Sequence, residues 1–262
     1  MKLFTVKVRV QGQDLVLKIP DGTVFVPNLM SYFSAARMHV NPGETFCDVG
    51  TGSALHAILA VKLGARLAYG VDISPAVLRF ARANARLNGV ERSCRFFSGS
   101  LVEPLVARKI KVDAMICNAP QFPGAAVDPS LTGRLKQSVD GGPGGGDLNA
   151  RFLREAPRAL APGGRLYNPI VGWSQPERSL KAIKDVGYRV REAGRVEVPP
   201  WGRGNLTREW LLRRPGKHVF RYAYPKGRDT KARLLELRLD EGPLAATRRT
   251  NTVSVDFRVP RH

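Results

Sequence analysis

The apolar run "MICNAPQFPG" (residues 115–124) stops on an asparagine, with prolines on both sides of a glutamine. Asn is a poor strand residue and Pro cannot supply a ladder N–H. Asn118-Ala119-Pro120-Gln121 therefore reads as a plain strand end or as a carboxamide set at the lip of a buried strand to meet a substrate. A second cluster lies upstream. In "FCDVGTGSALHA", Asp48 ends an apolar run and is followed by Gly50-Thr51-Gly52 and a helical pattern. Glycines at such a turn let the backbone come close to a ligand, and the next helix presents free N–H groups. The run "AYGVDISPAVL" then reaches Asp72, 24 residues after Asp48. An acidic group there accepts hydrogen bonds from both hydroxyls of a ribose.

Two ligands compete for this pattern. A nicotinamide dinucleotide requires G-x-G-x-x-G, but the line is Gly50-Thr51-Gly52-Ser53-Ala54-Leu55, with no glycine at 55. The Asp48 carboxylate would repel a pyrophosphate and attract the ammonium of a methionine moiety. The charge pattern favours S-adenosylmethionine (SAM).

These residues need a frame. "FTVKVRVQGQDLVLKIPDGTVFVP" alternates apolar and polar positions around Gly12 and Asp21-Gly22, a small antiparallel hairpin, and "NLMSYFSAARMHV" follows with helical spacing. From residue 45 strands and helices alternate: strands at 45–49, 67–72, 94–97, 112–117 and 165–172, helices near 53–63, 75–88, 148–160 and 175–186. Ser74-Pro75 is a helix start, N-cap then Pro at the first helical position. Two further strand-like runs, 188–198 and 207–213, complete the pattern. Such alternation predicts an α/β fold, a doubly wound, mostly parallel seven-stranded sheet with helices on both faces. The division expected is an N-terminal hairpin and helix (1–40), a ligand-binding domain (41–214) and a basic C-terminal extension (215–262) holding "KARLLELRL" and "TVSVDFRV". The connection 118–147, ending in "DGGPGGGD", is a candidate flap.

The chain has 262 residues, a formal net charge of +20 and 43% hydrophobic residues. Nearly half of the excess charge lies in residues 203–262, which suits a polyanionic partner such as RNA. Arginine supplies 30 of the 42 basic residues without a dense basic block, so the charge is equally a matter of composition. Cys47, Cys94 and Cys117 are far apart within apolar runs and read as buried thiols in a reducing cytoplasm; His39, His56, His218 and His262 have no metal-ligand spacing. His56 reads as a helix histidine, packed or partly exposed. Lys7 and Arg9 break the N-terminal apolar pattern, so no signal peptide is expected, nor a membrane span.

Taken together, "VFVP" (24–27), "CDVGTGS" (47–53), "VDISPAVLRFARANARLNG" (71–89), "SGSLVEPL" (98–105), "VDAMICNAPQ" (112–121) and "FLREAPRALAPGGRL" (152–166) resemble the class I SAM-dependent methyltransferases, and within them the release-factor glutamine methyltransferase (HemK/PrmC-like) group. The resemblance implies that Asp48, Gly50, Thr51 and Gly52 hold the methionine end of SAM. It puts the ribose on Asp72, the adenine against Ile73, and Ser100 and Leu101 where the family often has an acidic residue on the adenine amine. Ala54 stands in place of a family glycine. The family's Asn-Pro-Pro-Tyr ends this strand: the Asn and a following carbonyl accept hydrogen bonds from the target NH₂, and the ring covers its planar face. Asn118 and Pro120 match, and Ala119 and Gln121 depart. The resemblance thus makes Asn118 the catalytic residue, at the border with SAM, and sets Pro27, Ala119, Pro120, Gln121 and Phe122 around the acceptor. Phe122 would cover it, or Gln121 would hydrogen-bond a different one. Asn28-Leu29-Met30-Ser31 replaces the family's Arg-Pro-Glu-Thr-Glu-like run, and few residues precede "VFVP" for a substrate-docking domain. The expectation is a cytoplasmic SAM-dependent methyltransferase acting on a small molecule of specialised metabolism rather than on a release factor. The alternatives are RNA or a protein amide, a SAM enzyme that transfers no methyl group, and a nicotinamide oxidoreductase.

Overall fold

In the computed structural model, residues 3–20, 24–127, 133–172, 174–197, 231–239 and 253–258 are described. Leu3–Val10 (β1) and Gln13–Pro20 (β2) pair antiparallel across Gln11-Gly12, both at positive φ as a tight hairpin turn requires. Period-two patterning buries Phe4, Val6, Val8 and Val10 with Leu15, Leu17 and Ile19. Helix α1 (Leu29–Ala35) follows.

The central layer is built from β3 (Thr45–Val49), α2 (Leu55–Lys62), β4 (Leu67–Asp72), α3 (Pro75–Leu87), β5 (Cys94–Ser98), α4 (Glu103–Ala107) and β6 (Val112–Cys117). It continues through α5 (Gly133–Gln137), α6 (Asp147–Glu155), β7 (Leu160–Val171), α7 (Pro176–Val186) and β8 (Arg189–Glu197). Strand β9 (Lys231–Arg238) completes a seven-stranded sheet of order β5-β4-β3-β6-β7-β9-β8, and β10 (Val253–Arg258) pairs with β1 in a three-stranded one. Strands β3 to β7 run parallel, while β9 is antiparallel to both β7 and β8. Apolar cores fill both faces of the large sheet.

Three expectations change. "KARLLELRL", read as part of an extension, is β9, an interior strand whose Ala232, Leu234, Leu235 and Leu237 are buried; the run 207–213 lies outside the described residues. Strand β7 begins at Leu160, before the expected 165, because the Ala161–Gly164 segment bulges out between two stretches of pairing with β6. The helix expected over 148–160 ends at Glu155 and passes into a 3₁₀ turn, Ala156–Arg158, containing Pro157.

Two polar devices lock these elements together. Asn84 on α3 and Asn88, one turn further at its C-cap, pair with the free edge of β2: the Lys18 N–H donates to Asn84 Oδ1 (2.8 Å) and the Val16 N–H to Asn88 Oδ1 (2.9 Å). Each side-chain amide then donates back to the same residue's carbonyl. The edge that would attract another strand is thereby covered. Under the β3 entry, Arg165 is buried and forks onto Glu44 at 2.6 and 2.7 Å. Burial pushes the Glu44 carboxyl up, but the Arg165 guanidinium and Asn41 outweigh it and hold the group below the ordinary carboxylate range.

Candidate active site

The carboxyl ends of β3, β4, β5 and β6 meet at one edge of the sheet, where ligands of open α/β sheets bind. The glycine turn after β3 is bolted to β4: the Gly50 and Thr51 N–H groups both donate to the Val71 carbonyl, at 2.8 and 2.9 Å. Gly50 and Gly52 have φ of +72° and +52°. A Cβ built on Gly50 would meet nothing within 4 Å, so the turn leaves open space for a ligand. Ala54, at φ +67°, keeps the left-handed conformation of the glycine it replaces, and Leu101 has φ +48°. For L residues this region is strained by about 1–2 kcal/mol, and such strain gathers at functional sites.

Asp72 spans the site. Its Oδ2 accepts from the Gly52 N–H (3.1 Å) and its Oδ1 from the Ser74 N–H (3.0 Å). Burial raises its pKa against the pull of those two amides, and the Asp48 charge raises it further. Ile73 beside it is 62% exposed, an apolar side chain held in solvent at the lip of the turn. The Gly99 N–H donates to the Asp72 carbonyl (3.1 Å), which brings Ser100 and Leu101 alongside. Asp48 is different: only 1% exposed, it accepts from the Thr51 hydroxyl (2.8 Å) and the Ala57 N–H (3.3 Å), with His56 Nδ1 at 3.5 Å.

At the end of β6, Asn118 is half-buried and its Nδ2 donates to the Ser31 hydroxyl at 3.1 Å. Ala119, next in the chain, and Pro27 are buried, and Pro120 is half-buried. Gln121, expected at the acceptor, is turned inward. Its Nε2 donates to the Pro169 carbonyl (2.9 Å), and its Oε1 accepts from the Val171 N–H (3.2 Å) and the Ser174 hydroxyl (3.4 Å). It brackets this loop to β7. Phe122 packs against the core on the α1 side, leaving it the one aromatic residue in the loop.

The glycine-rich stretch 140–147 is a wedged turn rather than a flap. Gly141 N–H donates to the Phe122 carbonyl (2.8 Å), and Cβ atoms on Gly141, Gly145 and Gly146 would lie within 2.2, 2.7 and 2.4 Å of backbone oxygens. Sequence reasoning also missed Ser31 and Asn28. Asn28 caps α1 in a reciprocal capping box with Ser31, a signal present in the Asn-x-x-Ser spacing. His56 is buried, its Nε2 3.1 Å from the Ser31 carbonyl. Cys47, Cys94 and Cys117 are free, buried thiols; burial pushes Cys94 up to about 12. Among the described residues no group of His, Cys, Asp and Glu could hold a metal ion, and no helix is long and apolar enough to cross a membrane.

Sheet order and glycine turn together define a Rossmann-like methyltransferase domain. Residues 31–121 match the family model described as ribosomal protein L11 methyltransferase. The chain is 31% identical over 152 residues to the putative protein N5-glutamine methyltransferase of Methanocaldococcus jannaschii, covering 58% of this chain and 74% of that one. It is 39% identical over 161 residues to the release factor glutamine methyltransferase of Moorella thermoacetica, covering 60% of this chain and about half, 54%, of the relative. Among solved structures, the ribosomal protein L11 methylase of Lactobacillus delbrueckii subsp. bulgaricus superposes with a TM-score of 0.53 at 18% identity, over 83% of this chain and 82% of that one. A T. thermophilus 16S rRNA N2 methyltransferase in complex with AdoMet and guanosine gives 0.57 at 16% identity, over 90% and 50%. The chain belongs to the class I SAM-dependent methyltransferases, in the HemK/PrmC-like group, with the Asn-Pro-Pro-Tyr motif altered to Asn-Ala-Pro-Gln. SAM is the cofactor, and the open glycine turn and the exposed Ile73 fit it.

Proposed function

We propose that the protein methylates the planar amide nitrogen of a protein acceptor, with Asn118 positioning that nitrogen. The observation that carries this reading is the Asn118 side chain at the mouth of β6: Nδ2 is tied to Ser31, and Oδ1 has no hydrogen-bond partner among the described residues. A free carboxamide oxygen beside a SAM site suits an N–H donor. The relatives named above act, by their names, on protein amides and ribosomal protein L11. That replaces the expectation of a small molecule of specialised metabolism, for which neither the relatives nor the site supplies support.

Bound SAM supplies an electrophilic methyl group. The chain's own part is orientation: Asp72 takes the ribose hydroxyls, Ile73 the adenine face, the Gly50–Gly52 turn the methionine end, with Thr51 holding Asp48 beneath it. Ser100 and Leu101 border the adenine edge. Asn118 Oδ1 and a neighbouring backbone carbonyl hold the acceptor hydrogens, and Pro27, Ala119, Pro120 and Phe122 wall the acceptor. Aiming a lone pair in this way is a proximity effect, worth orders of magnitude, and the nitrogen, once methylated, releases one of its hydrogens as a proton to solvent.

A second reading has one observation behind it: the +20 charge suits an RNA acceptor. The experiment is transfer of a tritiated methyl group from SAM to a purified release factor, ribosomal protein L11 or ribosomal RNA. Label in protein that resists ribonuclease supports the amide reading, and label confined to RNA replaces it. Asn118→Ala is expected to keep SAM affinity within about twofold while turnover falls about a hundredfold; unchanged turnover removes Asn118 from the chemistry.

A further inference from the structure

We infer that Ser31 is the positioning residue that sets which way the Asn118 carboxamide faces; the inference rests on the amide-methylation reading. Asn118 is half-buried, and a carboxamide can present either its oxygen or its NH₂ to an acceptor. The Ser31 hydroxyl decides between them through its own hydrogen-bond complement. It has one hydrogen and two lone pairs. The hydrogen goes to Asn28 Oδ1 at 3.4 Å, and one lone pair takes the Asn28 N–H at 3.3 Å, both within the capping box of α1. The remaining lone pair accepts only from a donor, and it is filled by Asn118 Nδ2 at 3.1 Å. A reversed amide would set Asn118 Oδ1 against that lone pair and draw the hydroxyl hydrogen off Asn28. Ser31 is held in place from the other side, since its carbonyl lies 3.1 Å from His56 Nε2, and the opposite ring nitrogen of His56 lies 3.5 Å from Asp48. One line of contacts thus runs from the carboxylate at the cofactor end, through α1, to the carboxamide at the acceptor end.

Ser31→Ala therefore frees the Asn118 amide to turn over, while Ser31→Thr and Asn28→Asp preserve the hydroxyl and its acceptor. In the full-length chain, the side-chain amide NMR spectrum of isotope-labelled asparagine identifies the Asn118 resonance by its loss in Asn118→Ala. Ser31→Ala is expected to shift that resonance and to speed its hydrogen exchange about tenfold, with Ser31→Thr unchanged. In methyl transfer to the protein labelled in the experiment above, Ser31→Ala is expected to lower kcat about tenfold with SAM affinity unchanged, and Ser31→Thr to restore it. An unmoved resonance in Ser31→Ala overturns the inference. So does full turnover in Ser31→Ala when Asn118→Ala is inactive. Full turnover in Asn118→Ala overturns the amide reading instead, and the spectrum still decides what Ser31 does. Should Ser31→Ala fail to fold, Ser31→Cys, of similar shape and a weak acceptor, carries the same expectation.

Discussion

Asp72 and Gln121 show how burial divides residues that look alike in sequence. Asp72 keeps two amide donors, yet burial, with the Asp48 charge beside it, raises its pKa above the ordinary carboxylate value. The sign follows directly. Ribose hydroxyls donate to the ionised group, so acidification through the raised pKa, above the ordinary value of about 4, weakens SAM binding by about tenfold per pH unit. Titration calorimetry from pH 8 downward measures this, and Asp72→Asn is expected to bind weakly at every pH with the dependence gone. Gln121 is the opposite case. With its carboxamide bonded to Pro169, Val171 and Ser174, Gln121→Leu is expected to lower stability by about 2 kcal/mol, read by denaturant titration, without changing which acceptor is methylated.

Among the elements, the glycine-rich stretch 140–147 departs most from expectation. Glycine content alone suggests mobility, but here glycine is needed because backbone passes against backbone. A Cβ on Gly141 would sit 2.2 Å from the Gly145 carbonyl oxygen and 2.7 Å from that of Pro120. Gly141→Ala is accordingly expected to destabilise the protein by about 3 kcal/mol, a clear fall in Tm, where a solvent-borne flap would tolerate alanine. Glycine is also informative where it is missing: Ala54 shows that the turn dictates the backbone angle even when the residue resists it.

For the molecule as a whole, β9 decides the architecture. It lies between β7 and β8, so the two are not neighbours, and its Glu236, buried beside Tyr167, Arg191 and Arg238, ties the sheet together with paired charge. Removing one partner of such a cluster leaves a buried charge uncompensated. A chain ended at residue 230 is expected to lose cooperative unfolding and near-ultraviolet dichroism, although a basic appendage could be removed without harm to the core. Part of the C-terminal charge excess is therefore carried by β9 itself, where Lys231, Arg233 and Arg238 outnumber Glu236.

Local chemistry was readable from the chain because it repeats at short range. The alternation of β1 and β2, the strand ends at Asp48, Asp72 and Asn118, and the Ser74-Pro75 helix start each depend on residues within one element or turn. From these the parallel sheet and its SAM-binding edge followed. Long-range pairing was not readable. Whether "KARLLELRL" is an appendage or an interior strand depends on β7 and β8, which its own pattern does not name. The inward turn of Gln121 depends on a carbonyl, an amide and a hydroxyl 48 to 53 residues away, and the Asn118 amide takes its direction from Ser31, 87 residues upstream. Hydrogen-bond partners of that separation are chosen by packing, and only the tertiary structure brings them together.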